Sequence, residues 1–304
     1  VKDSGDIQVL AEIGVVLLLF TLGLEFSLST LRRTGKVAIF GGIAQILTTA
    51  ALGYLIGWLL HCPVTEAVFF GCLIALSSTM VVLKTIMDRG ELDTTHGRIM
   101  IGILLVQDLS VVPMMVILPS MGEAGASLLP ALGIAALEAI GFLGGMLVLG
   151  IWVLPRLMRG IARVRSRELF LLGVVSLCLG AAFGTYHFGL SAALGAFVAG
   201  LLLSESDYAH QALAEIIPLR DIFATLFFVS LGMLVDLSFI GDNIGIVLGV
   251  VAAIIIGKFL ISSFIVRLFG YSLKTNILVG AGLFQIGEFS FVLAGVGLGA
   301  GGIS

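Results

Sequence analysis

Apolar runs too long for β-strands recur along this chain, at 7–28, 37–60, 65–87, 98–118, 128–154, 168–186, 189–204, 219–236, 243–267 and 274–300. About 20 helical residues cross the ~30 Å hydrocarbon core of a bilayer. None of the runs alternates with the period of a membrane barrel strand, so helices are required. Composition agrees: 59% of residues are hydrophobic and 12% charged, with mean hydropathy +1.18. A soluble domain carries about 25% charged residues. The expected fold class is an all-α polytopic membrane protein with ten spans, lettered A to J in the order above. Its first partner is the lipid bilayer.

The basic residues divide the loops into two sets. Arg32, Arg33 and Lys36 follow span A; Lys84, Arg89 and Arg98 lie between C and D. Arg156, Arg159, Arg163, Arg165 and Arg167 follow E, Arg220 follows G, and Arg267 and Lys274 follow I. All of the 16 Lys and Arg except Lys2 and Lys258 therefore fall on one face. The positive-inside rule makes that face cytoplasmic, in a cell inner membrane, with an outside N-terminus. Residues 209–217 form an amphipathic stretch expected to lie on the membrane surface.

Asp108, with Gln107, sits midway along span D, roughly ten apolar residues from either end and so about 15 Å deep. A charge at that depth costs ~2.5–3.5 kcal/mol on insertion scales, and membrane proteins that keep one usually move ions or protons. Pro113 removes the hydrogen bond to the Leu109 carbonyl. That fits either an ordinary kink or a loosened backbone beside a cation site. Lys258 interrupts span I about 13 Å from Arg267, too deep to snorkel comfortably. It needs a carboxylate, and Asp108 lies at similar depth.

Span C contains Ala75-Leu-Ser-Ser-Thr79. Its hydroxyls fit either bonding to their own helix or an unwound segment facing a cavity. In span J, glycines bracket Gln285 and Glu288, as in a second interrupted helix with a carboxylate at its break. The alternative for Glu288 is a packed, protonated side chain. Spans C and J run in opposite senses, as an inverted repeat requires. Glu138 is deep and has no evident partner. Glu25 reads as a structural contact near the cytoplasmic end of span A. Cys62, Cys72 and Cys178 lack ligand spacing, and His61, His96, His187 and His210 fall at span ends or in loops.

These residues also carry a family resemblance. The stretches 13–25, Ala75-Leu-Ser-Ser-Thr79, Val106-Gln-Asp108, 227–236 and Phe284-Gln-Ile-Gly-Glu-Phe-Ser290 resemble the Kef-type potassium:proton antiporters, within the second monovalent cation:proton antiporter superfamily. The resemblance implies an inverted-repeat antiporter fold whose two broken helices cross. It implies a core of 37–118 and 243–304, a scaffold and dimerisation domain of 1–36 and 168–236, and a linker helix at 119–167. A homodimer is expected. The first two helices, the last helix and a cytoplasmic nucleotide-binding regulatory domain of the family are expected to be missing here.

Residue by residue, Asp108 matches the position carrying cation and proton in turn. Gln107 matches a second aspartate of sodium-type members. Ser78 and Thr79 match the first broken helix, Gln285 to Glu288 the second, and Lys258 the charge partner of the carboxylate. The expected ion- and proton-binding residues are then Asp108, Gln107, Ser78, Thr79, Gln285 and Glu288, with Asp108, Thr79 and Ser78 the ligands of a transported K⁺ or Na⁺, and no cofactor is expected. The implied activity is K⁺/H⁺ exchange by alternating access at one carboxylate. The alternatives are a Na⁺/H⁺ antiporter of the same fold, a ligand-gated K⁺ efflux system resembling a channel, and a symporter. An intramembrane aspartyl protease needs a second facing aspartate, and Asp236, at the outer end of span H, lacks the glycine motif.

Overall fold

A computed structural model describes residues 4–25, 36–123, 156, 160, 166–187, 192–233, 235 and 237–299. Among these every regular element is helical: α1 (Ser4–Glu25), α2 (Val37–Leu59, opening with a π-helical turn), α3 (Val64–Ala75), α4 (Thr79–Asp88), α5 (Thr95–Glu123), α6 (Arg167–His187), α7 (Ala192–Ser204), α8 (Ala209–Met233), α9 (Leu237–Asp242), α10 (Ile244–Leu268), α11 (Leu273–Leu283) and α12 (Phe289–Gly299). Span E, Glu138, Asp236, Arg32, Arg33 and most of the expected linker 119–167 lie outside the described residues.

Five spans among the described residues are long and apolar enough to cross a membrane: Val37–Leu59, Val64–Asp88, Thr95–Met115, Arg167–His187 and Ile244–Leu268. The other spans of the ten expected are shorter here, carry more charge, or lie partly or wholly outside the described residues. Helix α7 has only 13 residues, and span J is split into α11 and α12 of 11 residues each. One correction concerns 209–217. This stretch is no separate surface helix but the first half of α8, which continues through Pro218. Its apolar stripe of Ala209, Ala212 and Ile216 is buried, with Ala212 and Ile216 packed among Phe170, Val174 and Leu203 rather than turned to lipid.

The chain divides into two compact units, Val1–Ser27 with Leu129–Val235, and Leu28–Leu128 with Asp236–Ser304. In the first, α1 lies against α7 and α8. A side chain at Gly23 would strike the Phe197 carbonyl, and one at Gly200 the Phe20 carbonyl, so glycine permits this backbone approach. Glu25 meets Arg220 at 3.6 Å, a structural contact from the end of α1 to α8.

The second unit reverses the polarity of a soluble protein. Leu248, Ile256, Leu260 and Phe264 of α10 are exposed, while Gln45, Thr49, Gln107, Asp108 and Lys258 are buried. This suits a helix with lipid on one side and polar protein on the other. Helix ends are closed locally. At the end of α4, Gly90 adopts φ +65°, Glu91 N–H donates to the Ile86 carbonyl at 2.7 Å and Gly90 N–H to Met87 at 2.9 Å. That pairing satisfies the last-turn carbonyls. After α2 the same role falls to His61, a non-glycine residue at φ +61°. Helix α5 runs unbroken through Pro113, whose ring is exposed, and Ser110 Oγ donates to the Gln107 carbonyl at 2.6 Å.

Candidate functional site

Span C is interrupted. Helix α3 stops at Ala75, Leu76 turns to an extended conformation (ψ 144°), and α4 starts after Ser78 (ψ 114°). Span J stops at Leu283 and resumes at Phe289. Each break strips backbone groups of their helical partners. In hydrocarbon an unsatisfied group costs several kcal/mol, so each must be bonded elsewhere.

The structure satisfies several of them across the two breaks. Ser77 N–H donates to Gln107 Oε1 at 2.8 Å, and Ser78 N–H donates to Gln285 Oε1 at 2.7 Å. Gln285 Nε2 returns a bond to the Ser78 carbonyl at 3.3 Å and one to Gly282 at 3.1 Å. Ser77 Oγ donates to the Leu283 carbonyl at 2.9 Å, and Ser290 Oγ donates to that of Leu73. The two breaks touch directly: Gly287 N–H donates to the Leu76 carbonyl at 3.2 Å. Ser78 also caps α4, its Oγ accepting from Val81 N–H at 3.3 Å.

Lys258, the expected charge partner of Asp108, is fully buried. Its ammonium donates to the carbonyls of Leu76 and Gln285, each at 2.8 Å. Those carbonyls follow the C-terminal ends of α3 and α11, where the helix dipoles are negative and unbonded oxygens collect. A cation at two converging C-terminal ends is satisfied by backbone dipoles.

Asp108, 2% exposed, lies at the opposite pole, the N-terminal end of α4. Its Oδ2 accepts from Thr79 Oγ1 at 2.8 Å. A carboxylate there is favoured by the positive end of the helix dipole. Ser78, Thr79, Gln107, Asp108, Lys258 and Gln285 thus belong to one crossing. Glu288 is half-buried at the start of α12, and no hydrogen bond links its carboxylate to that network. The amides of Gln107 and Gln285 are committed to the backbone of 77 and 78, which leaves Asp108 and the hydroxyls as the oxygens suited to a hard cation. No cluster of three or more His, Cys, Asp or Glu that would hold a resident metal occurs among the described residues.

Sequence reasoning missed Gln45 and Thr49. Both are fully buried on α2, and Gln45 Oε1 accepts from Gln107 Nε2 at 2.6 Å. The signal was present: Gln45 is an amide in an otherwise apolar stretch, 37–47.

The chain matches the sodium/hydrogen exchanger, transmembrane, family over residues 1–304. It is 42% identical to "Putative cation/proton antiporter YbaL" of Escherichia coli (strain K12) over 306 residues, which cover 98% of this chain and 55% of that protein. It is 38% identical to K(+) efflux antiporter 4 of Arabidopsis thaliana, covering 96% of this chain and 50% of that one. The chain thus spans about half the length of these curated relatives. Among solved structures it resembles the sodium proton antiporter MjNhaP1 of Methanocaldococcus jannaschii, with TM-score 0.67 and 20% identity over 95% of this chain and 72% of that one. That likeness establishes the antiporter fold.

Proposed function

Since the chain belongs to the sodium/hydrogen exchanger family, a family of membrane transporters and not of enzymes, we propose that it exchanges K⁺ for H⁺ at Asp108. The observation that carries this reading is a single buried carboxylate bonded to a hydroxyl where two interrupted helices meet. Asp108 binds either a proton or a partly dehydrated cation, and occupancy by one excludes the other. Exchange follows, because an empty, charged carboxylate in a low-dielectric crossing is costly to carry across.

Thr79 and Ser78 complete the oxygen shell of the ion. Gln107 and Gln285 hold the opened backbone in place. Lys258 is the fixed positive charge of the crossing, seated on the C-terminal ends of α3 and α11, and Glu288, at the second break, is a further proton-binding carboxyl. With an amide at 107 the site has one negative charge and a low field, which favours the more easily dehydrated K⁺ over Na⁺. The potassium antiporter names of several relatives support the same choice.

The ion-carrying core is 37–118 with 243–304, and the scaffold, through which two copies pair, is 1–36 with 168–236, joined by 119–167. The protein sits in a cell inner membrane with its basic loops in the cytoplasm. The test is an assay in proteoliposomes, with internal pH followed while equal outward gradients of K⁺ or Na⁺ are imposed. Proton entry driven by K⁺ is expected. Proton entry driven by Na⁺ alone would move the protein to the alternative Na⁺/H⁺ activity, and cation flux without proton movement would make it a channel.

A further inference from the structure

Gln45 and Gln107 form a relay whose direction is set by the backbone at both ends. Ser77 N–H can only donate, so the atom of Gln107 against it is oxygen. The Gln107 amino group therefore faces Gln45, whose oxygen accepts it at 2.6 Å. That leaves the Gln45 amino group for Thr49 Oγ1 at 3.1 Å and the Ala75 carbonyl at 3.3 Å, which can only accept. The relay runs from the last residue of α3 into the break in span C, out of contact with solvent. We infer that Gln45 is a specificity-determining positioning residue: it locks Gln107 as a brace of the broken helix and excludes a carboxylate from position 107.

This deepens the proposed exchange at Asp108 and rests on it. A carboxylate at 107 could still accept from Ser77 N–H, but its second oxygen would face the Gln45 oxygen. Reversing the Gln45 amide would relieve that contact and place its oxygen against the Ala75 carbonyl. The first arrangement buries two facing acceptors with no donor, and the second, though the Thr49 hydroxyl can turn to donate to the Gln45 oxygen, takes the donor away from the Ala75 carbonyl. Gln45 thus keeps the crossing at one negative charge, and the cation class it suits is monovalent and weakly hydrated.

The test compares wild type, Gln45→Leu and Gln45→Glu in proteoliposomes. KM for K⁺ and for Na⁺ are measured across pH, with melting temperature in detergent as the folding control. Gln45→Leu releases the Gln107 amide, and the ratio of the two KM values should shift at least fivefold. In Gln45→Glu a protonated carboxyl retains both halves of the relay, its carbonyl accepting from Gln107 and its hydroxyl donating to Ala75. That variant should show the wild-type ratio at acidic pH and lose it as pH rises, a dependence absent from wild type. A folded Gln45→Leu protein with the wild-type ratio would overturn the inference. If Gln45→Leu does not fold, a Gln45→Glu protein whose ratio never approaches the wild-type value would do the same. Absence of exchange in wild type would instead overturn the underlying reading, and this inference with it.

Discussion

Alanine at position 287 would put a methyl group where the backbone of the other interrupted helix already lies. A Cβ there would sit 2.8 Å from the carbonyl carbon and oxygen of Ser77 and 3.1 Å from Ser78 N, distances that real Cβ atoms rarely tolerate. These are backbone atoms, held by Gln107 and Gln285, and they have no rotamer to yield. Overpacking of this kind costs about 1–3 kcal/mol. Spreading the breaks also weakens the bond from Gly287 N–H to Leu76, worth about 0.5–1.5 kcal/mol. Lower backbone entropy of the unfolded chain offsets about 0.4–1 kcal/mol. The net loss should be about 0.5–4 kcal/mol. Gly295 supplies the control, since a Cβ there meets nothing within 4 Å. Melting in detergent and exchange in proteoliposomes should both fall for Gly287→Ala, whereas Gly295→Ala should melt no lower than wild type and exchange normally. A Gly287→Ala protein that melts and transports like wild type would refute the close crossing.

Three further outcomes follow from the same contacts. Lys258→Met should destabilise the Asp108→Asn variant by more than half of what it costs wild type, because the ammonium bonds carbonyls of Leu76 and Gln285; thermal melting of the double-mutant cycle checks this, and near-complete cancellation would restore a direct pair. The Glu91 carboxyl is held below the usual carboxylate range, first by its hydrogen bond to His96 and further by the charges of Arg89 and His96, against some desolvation. A depressed carboxyl stabilises above its ordinary range and loses that contribution as pH falls through its folded value, so Glu91→Gln should lower the melting temperature at neutral pH and converge on wild type as acid takes the pH below that folded value. His61→Gly should raise stability by about 0.5–1 kcal/mol in denaturant or thermal unfolding, since glycine adopts the left-handed conformation of His61 without a Cβ penalty.

Both breaks and the buried carboxylate were legible in the sequence because each violates the local rule of a membrane helix. Three hydroxyl residues at 77–79, glycines around Gln285, and Asp108 in an apolar run all ask for a non-helical or charged solution. The carbonyls that accept from Lys258 were not legible, because orphaned carbonyls are a product of the breaks and appear in no side-chain inventory. Gln45 escaped for a related reason. Its only advertisement is one amide, and its importance depends on Gln107 and Ala75, 62 and 30 residues away. The stretch 209–217 shows the limit of amphipathicity as a signal, since an apolar stripe reads the same whether lipid or α6 and α7 cover it.

The central claim is that one carboxylate, Asp108, carries cation and proton in turn. The most direct measurement is the apparent KM for K⁺ in proteoliposomes as a function of pH, for wild type and for Asp108→Asn. Competition at one site predicts that the wild-type KM rises about tenfold per pH unit on the acid side of the site's titration, and that Asp108→Asn, though folded, exchanges nothing. A wild-type KM independent of pH, or coupled exchange in Asp108→Asn at the wild-type rate, would contradict the account.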